Sequence, residues 1–317
     1  MNKTKKLTQG AMLLAIFGAL ILIDRMTAYW FSEFVVLVAP VIIIVYSTMQ
    51  SFKDGLVLSI GVLIIGFLLG NFQMLYVIYV PVGIITGLVY AYGVIKNKDK
   101  TTLLFMSCAT YIAGELLAAY IFYPMFGIPV SQFITEFKTS LSEAGKTTGF
   151  DYAQIFASMK LDFDKVLVIM FFISNALTGA TEGFLIHILS VFLLKRFKIK
   201  DIGSINIWDI KPNKAIAYIA FLSTFFFYFG NKITNENLYY TLFTISILGC
   251  VVLLYYGYLF ICLYGAIVLR KNIAIIFILL ALFIPFLLIA LLIIGFLYGS
   301  GPLRNYLEEK VNQIKHE

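Results

Sequence analysis

GLVLSIGVLIIGFLLGNFQMLYVIYVPVGIITGLVYAYGVI, residues 55–95, carries no charged side chain. A helix needs about 20 apolar residues to cross the hydrocarbon core of a bilayer. The window therefore holds two crossings, and the Gly70–Asn71 pair is where the chain turns between them. Pro81 falls inside the second, where a kink is expected.

The same reading extends outward. Of 317 residues, 61% are hydrophobic and only 13% charged, and the mean hydropathy is +0.93. A chain this apolar is an integral membrane protein. Further charge-free windows run over 7–23, 34–52, 215–231, 237–269 and 272–303. Two more spans each tolerate one acid: about 101–123 with Glu115, and about 166–194 with Glu182. The expectation is an all-α polytopic fold of nine transmembrane helices, six before and three after the basic connector 201–214, with a polar tail at 301–317. The first apolar segment lacks a small-x-small cleavage site and reads as a retained helix. Between the fifth and sixth helices, 124–165 forms an insert. Its Val130, Phe133, Ile134, Phe137 and Leu141 fall on one helical face, which predicts an amphipathic helix on the outer surface.

Charge sets the expected orientation. With the N-terminus cytoplasmic, fifteen of the twenty-four Lys and Arg lie inside, among them Lys53, Lys96, Lys98, Lys100, Lys195, Arg196, Arg270 and Lys271. This predicts a multi-pass protein of the cell membrane with its C-terminus outside. The net charge of +7 is then a topology signal, and anionic lipid is the expected partner of the basic face, not nucleic acid.

Several chemistries find no residues. Cys108, Cys250 and Cys262 sit inside apolar runs and read as packing residues. Two histidines, His187 and His316, cannot build a multi-histidine metal site. There is no HExxH, GxSxG, CxxC or Gly-rich phosphate loop. No metal, cofactor or enzymatic activity is expected, and any energy source must be a partner.

What remains are small residues and buried acids. Ala11, Ala15 and Ala19 form a stripe along the first helix, as Gly66 and Gly70 do on the third and Gly83, Gly87 and Ala91 on the fourth. Such stripes let helix backbones approach, within the chain or against another. An ionised carboxylate at the bilayer centre costs about 2.5 to 3.5 kcal/mol on insertion scales, so Glu115 and Glu182 each need a partner, a proton or water. Ser107, Tyr111 and Glu115 share one helical face, and Asn175, Thr178 and Glu182 another. If these faces meet they form either a hydrogen-bonded clamp or the floor of a site.

The run KLTQGAMLLAIFGALILI, followed by six helices ending in ISNALTGATEGFLIHILSVFLLKRFK, resembles the substrate-binding S components of energy-coupling-factor (ECF) vitamin transporters. The resemblance covers about residues 1–200. It implies that Ala11, Ala15 and Ala19 dock on a coupling subunit served by separate ATPases, and it matches Asn175, Gly179 and Gly183 to the family's sixth helix. It also implies an outward cavity for a small vitamin-like solute, lined by Asp24, Arg25, Tyr29, Trp30, Glu33, Asn71, Gln73, Tyr76 and Tyr79, with Glu115, Asn175, Thr178 and Glu182 toward its floor. Read from the residues alone, the outer set is equally an aromatic belt with an Asp24–Arg25 pairing. The whole chain, with its connector containing Trp208 and Pro212 and its closing GFLYGSGPLRNYLEEK, is similar to the YybS-like (DUF2232) membrane proteins of Gram-positive bacteria, themselves distant relatives of S components. That similarity leaves a second expectation open: a stand-alone scaffold or regulator on the same fold, without transport.

Overall fold

A computed structural model of the chain describes residues 3–127, 129–149, 161–203, 212–229, 235–268 and 285–316. Trp208, Arg270 and Lys271, and residues 150–160 of the expected insert, lie outside the described residues. Among the described residues all regular structure is helical. The chain divides into two compact units, Met1–Ser204 and Ile205–Glu317.

The first unit runs α1 (Lys3–Met26), α2 (Ser32–Val36), α3 (Val38–Met49), α4 (Phe52–Leu69), α5 (Met74–Ile95), α6 (Lys100–Leu117), a π-helical turn (Ala118–Phe122), α7 (Tyr123–Met125), α8 (Val130–Thr148) and α9 (Phe163–Arg196). The expected break at Gly70–Asn71 is a turn in which Asn71 and Phe72 take φ of 53° and 52°. Two successive non-glycine residues in that left-handed region are unusual. Short joints force antiparallel neighbours, so Lys53, Lys96, Lys98, Lys100, Lys195, Arg196 and Lys198 gather at one end of the bundle, called here the basic end. Lys200 ties that end together: its ammonium donates to the Val94 carbonyl and, at 2.6 Å, to Asn97. α5 continues as one helix through Pro81.

Glycines decide how closely the helices approach. A Cβ on Gly87 would meet the Pro40 backbone at 2.8 Å, which draws α5 onto α3. On Gly179 it would meet the Ile112 backbone at 2.8 Å, and on Gly183 the Cys108 Cα at 2.5 Å, which draws α9 onto α6. The core gathers Phe17, Ile21, Val62, Tyr76 and Val80 on one side, and Ile44, Tyr90, Leu103, Tyr111 and Ile186 on the other.

α1 lies against this core through Gly10, Phe17, Gly18 and Ile21. Gly10 rests on Tyr46 and Leu58, and Gly18 on Leu69 and Ile65. Polar bonds hold its basic end, with Lys6 to Asp54 at 2.8 Å, Gln50 to Gln9 at 2.7 Å and Tyr46 to the Lys6 carbonyl at 3.1 Å. α8 forms as the amphipathic pattern predicts, with Phe133 between Tyr123 and Phe171 at centroid distances of 5.7 and 5.4 Å.

The second unit contains α10 (Lys214–Phe229), α11 (Glu236–Ile267), α12 (Pro285–Ser300) and α13 (Pro302–His316). α11 and α12 interlock at Gly257 and Gly295, where an added Cβ would strike Leu291 and Leu253 backbone. Ala217, Tyr256, Leu259, Leu263, Tyr298 and Leu307 form its core.

Seven described helices are long and apolar enough to cross a membrane, eight if the pair Leu287–Ser300 and Pro302–Val311, bent by 72°, is one span. Nine were expected. Two of these, at 215–231 and 272–303, lie partly outside the described residues, which hold α10 to Phe229 and α12 from Pro285.

Candidate functional site

The α6–α9 contact builds the chemistry. Because Gly179 and Gly183 remove the Cβ that would hold the helices apart, Glu182 comes within hydrogen-bonding reach of Glu115. Glu115 is 2% exposed, and its Oε2 accepts the Tyr79 hydroxyl at 2.9 Å. The Tyr79 oxygen in turn meets the Tyr123 hydroxyl at 2.9 Å. Tyr111, fully buried on the same face of α6 as Glu115, interacts electrostatically with both carboxyls. Glu115 Oε1, Glu182 Oε2 and the Tyr111 hydroxyl have no hydrogen-bond partner among the described residues. Leaving a buried polar group unpaired costs about 1 to 3 kcal/mol, so the Tyr111 hydroxyl, with any carboxyl oxygen that a proton shared by the two acids does not join, marks a place where structure alone is not being optimised.

Two carboxyl oxygens facing each other repel unless a proton lies between them. The two acids form a dyad able to share one proton, with a tyrosine donating to one side. Among the described residues no Lys, Arg or His pairs with either acid, and no group of three or more His, Cys, Asp or Glu is placed to hold a metal ion.

Toward the basic end the polar column continues. The Tyr90 hydroxyl meets His187 Nδ1 at 2.9 Å, and both side chains are buried. His187 Nε2, Ser190 Oγ and Thr86 Oγ1 are unpartnered.

The expected site residues divide. Glu115 and Glu182 come together as described. Asn175 donates to the Phe171 carbonyl of its own helix at 2.8 Å, and Thr178 is exposed. At the other end of the bundle Asp24 is wholly buried and pairs not with the exposed Arg25 but with the loop that follows. It accepts from the Phe31 amide at 2.7 Å, the Ser32 hydroxyl at 2.5 Å and the Tyr76 hydroxyl at 2.7 Å. These bonds close a turn in which Ala28 and Tyr29 take φ of 56° and 65°. Tyr29 is half-buried with its ring 6.5 Å from that of Tyr76, while Trp30 at 83% and Asn71 are exposed.

Tyr123 and the Tyr90–His187 pair were not part of the site read from sequence, and Tyr79, read there as one of the outer set, instead joins Glu115. Tyr79, Thr86 and Tyr90 fall at i, i+7 and i+11 on one face of α5, a signal that was available. Tyr123 gave none, because a π-helical turn after Leu117 re-aims it.

A bundle of apolar helices enclosing a carboxyl dyad and a buried polar column is a polytopic α-helical membrane protein with an intramembrane polar site. The chain belongs to the family described as Predicted membrane protein (DUF2232), whose profile matches residues 15–297. Neither the curated proteins nor the solved structures gave a match.

Proposed function

We propose that the first unit is an S-component-like solute-binding subunit that works with a separate ATP-driven coupling partner and itself catalyses nothing. The observation that supports this reading is the outward face of α1. Ala11, Ala15 and Ala19 are all exposed, while the opposite face carries the packing contacts. Lys6–Asp54 at one end of α1 and Asp24–Tyr76 at the other hold that face in place. A flat, alanine-paved strip of this kind suits close approach by a helix of another subunit. In this reading Arg25, Tyr29, Trp30 and Asn71 meet a small solute from outside, Asp24 and Tyr76 shape the loop that presents them, and Glu115, Asn175, Thr178 and Glu182 lie beneath.

Affinity capture of the full chain in mild detergent tests the reading. A coupling subunit should co-purify with the native chain and be lost with Ala15→Leu, whose added bulk separates the backbones while leaving the exposed face free of internal clashes. Unchanged partners in the variant would count against it. The competing reading is a stand-alone scaffold, favoured by the self-contained core of the second unit; it predicts a stable isolated protein whose associations ignore Ala15.

A further inference from the structure

The geometry points to the Glu115–Glu182 dyad as a proton-binding site inside the membrane, loaded through Tyr123 and Tyr79 from the end of the bundle opposite the basic end. The inference does not depend on a solute and holds for transporter or scaffold alike.

Direction follows from the hydrogen bonds. Tyr79 has one hydroxyl proton and gives it to Glu115 Oε2 at 2.9 Å. Its oxygen is left to accept, so the 2.9 Å contact with Tyr123 has Tyr123 as donor. Tyr123 is half-buried where the π-helical turn ends, beside the last turn of α6. An unbroken row of O–H groups thus connects a carboxyl that is 2% exposed with the end of the bundle.

A proton delivered by hydronium to the Tyr123 oxygen releases Tyr123's own proton to Tyr79, and Tyr79 releases its own to Glu115. Hydronium becomes water, both tyrosines are restored as their hydroxyls rotate, and the dyad passes from one proton to two. The unpartnered Glu115 Oε1, Glu182 Oε2 and Tyr111 hydroxyl are the atoms available to hold the second proton's hydrogen bonds. An oxygen-only cluster of net negative charge, without a basic partner among the described residues, is suited to a proton and not to an anion.

Among the described residues the titratable groups facing the dyad are few. They are Tyr79 from α5, Tyr111 from α6, Tyr123 from α7 and the exposed Glu33 from α2. α3 contributes Tyr46, held at the basic end by Lys6. On α8, Lys138 is engaged by Asp164. Toward the basic end the column is interrupted, since His187 Nε2, Ser190 Oγ and Thr86 Oγ1 bond to nothing described. Among the described residues the dyad is therefore wired to one side.

Infrared spectroscopy of the full-length chain in liposomes tests this. A carboxylic C=O band should be present near neutral pH, shift in D2O, and vanish in the double variant Glu115→Gln/Glu182→Gln. Tyr79→Phe and Tyr123→Phe, which keep ring packing, should each slow its deuterium exchange by about tenfold or more, the effect of a barrier raised by one hydrogen bond's net worth. Tyr120→Phe, on a ring that is 73% exposed, should leave the exchange unchanged. Absence of the band in the native chain would overturn the proposal, as would a band that survives in the double variant. So would exchange indifferent to both tyrosine changes, or loss of the band on adding sodium at constant pH, which would assign the oxygens to a metal cation instead.

Discussion

Asp24 shows what one buried carboxylate does in this protein. Three donors converge on it, two of them side chains from α2 and α5, so removing it leaves the Tyr76 hydroxyl without an acceptor and the Ser32 hydroxyl with only the Tyr29 carbonyl at 3.1 Å. Hydrogen bonds to charged groups contribute about 1.5 to 3 kcal/mol each. Asp24→Ala should lower the unfolding midpoint in detergent by several degrees, and Asp24→Asn by less, because the amide oxygen still accepts. Asp99 poses the opposite, fully solvated case. It caps α6 with its carboxylate on the Thr102 hydroxyl at 2.6 Å and amide at 3.0 Å, and these bonds hold its pKa below the usual carboxylate range. A depressed folded-state pKa adds stability that is present above the unfolded value and lost as pH falls through the lowered one. Acidification should therefore lower the protection factors of the first-turn amides of α6, once the slower intrinsic exchange at acid pH is divided out, and Asp99→Asn, which still caps, should remove that pH dependence.

Helix pairs register the same chemistry as shape. Gly183 and Gly61 both touch a neighbouring helix, but an added methyl would meet the Cys108 backbone at 2.5 Å in one case and the Leu14 Cδ1 at 2.7 Å in the other. A leucine tip can rotate away and a backbone cannot. Gly183→Ala should cost about 1 to 3 kcal/mol by overpacking and dissolve the carboxyl dyad by moving α9 off α6, whereas Gly61→Ala should be tolerated. Thermal unfolding together with the infrared band separates the two effects, since only Gly183→Ala should alter both. The π-helical turn is the other decisive element: one extra residue in that turn lets Tyr123 reach Tyr79.

Two cores, each complete within its own stretch of chain, predict two cooperative events. Gly295→Leu, which would drive a side chain into the Leu253 backbone of α11, should melt the second unit at lower temperature and leave the dyad band of the first unit intact. A single transition shifted as a whole would contradict independent cores.

The crossings of the first unit were legible in the sequence, because hydrocarbon has no tolerance for unpaired charge or open backbone and each charge-free window must therefore become a helix. The turn at Gly70–Asn71 and the amphipathic helix from Val130 were legible for the same local reasons, whereas the paired glycines of α9 entered only through the family resemblance. The site was half legible. Spacing placed Glu115 and Glu182 on faces able to meet, yet left open whether they would and what would join them. Tyr79 and Tyr123 arrive from separate helices, Asp24 turns toward Tyr76 and away from its neighbour Arg25, and Ala11, Ala15 and Ala19 face outward. Each of these depends on how the helices are rotated about their axes. In a membrane nearly every face of a helix is apolar, so polarity cannot set that rotation; close packing through glycine and a handful of buried hydrogen bonds sets it, and both exist only once the helices are together.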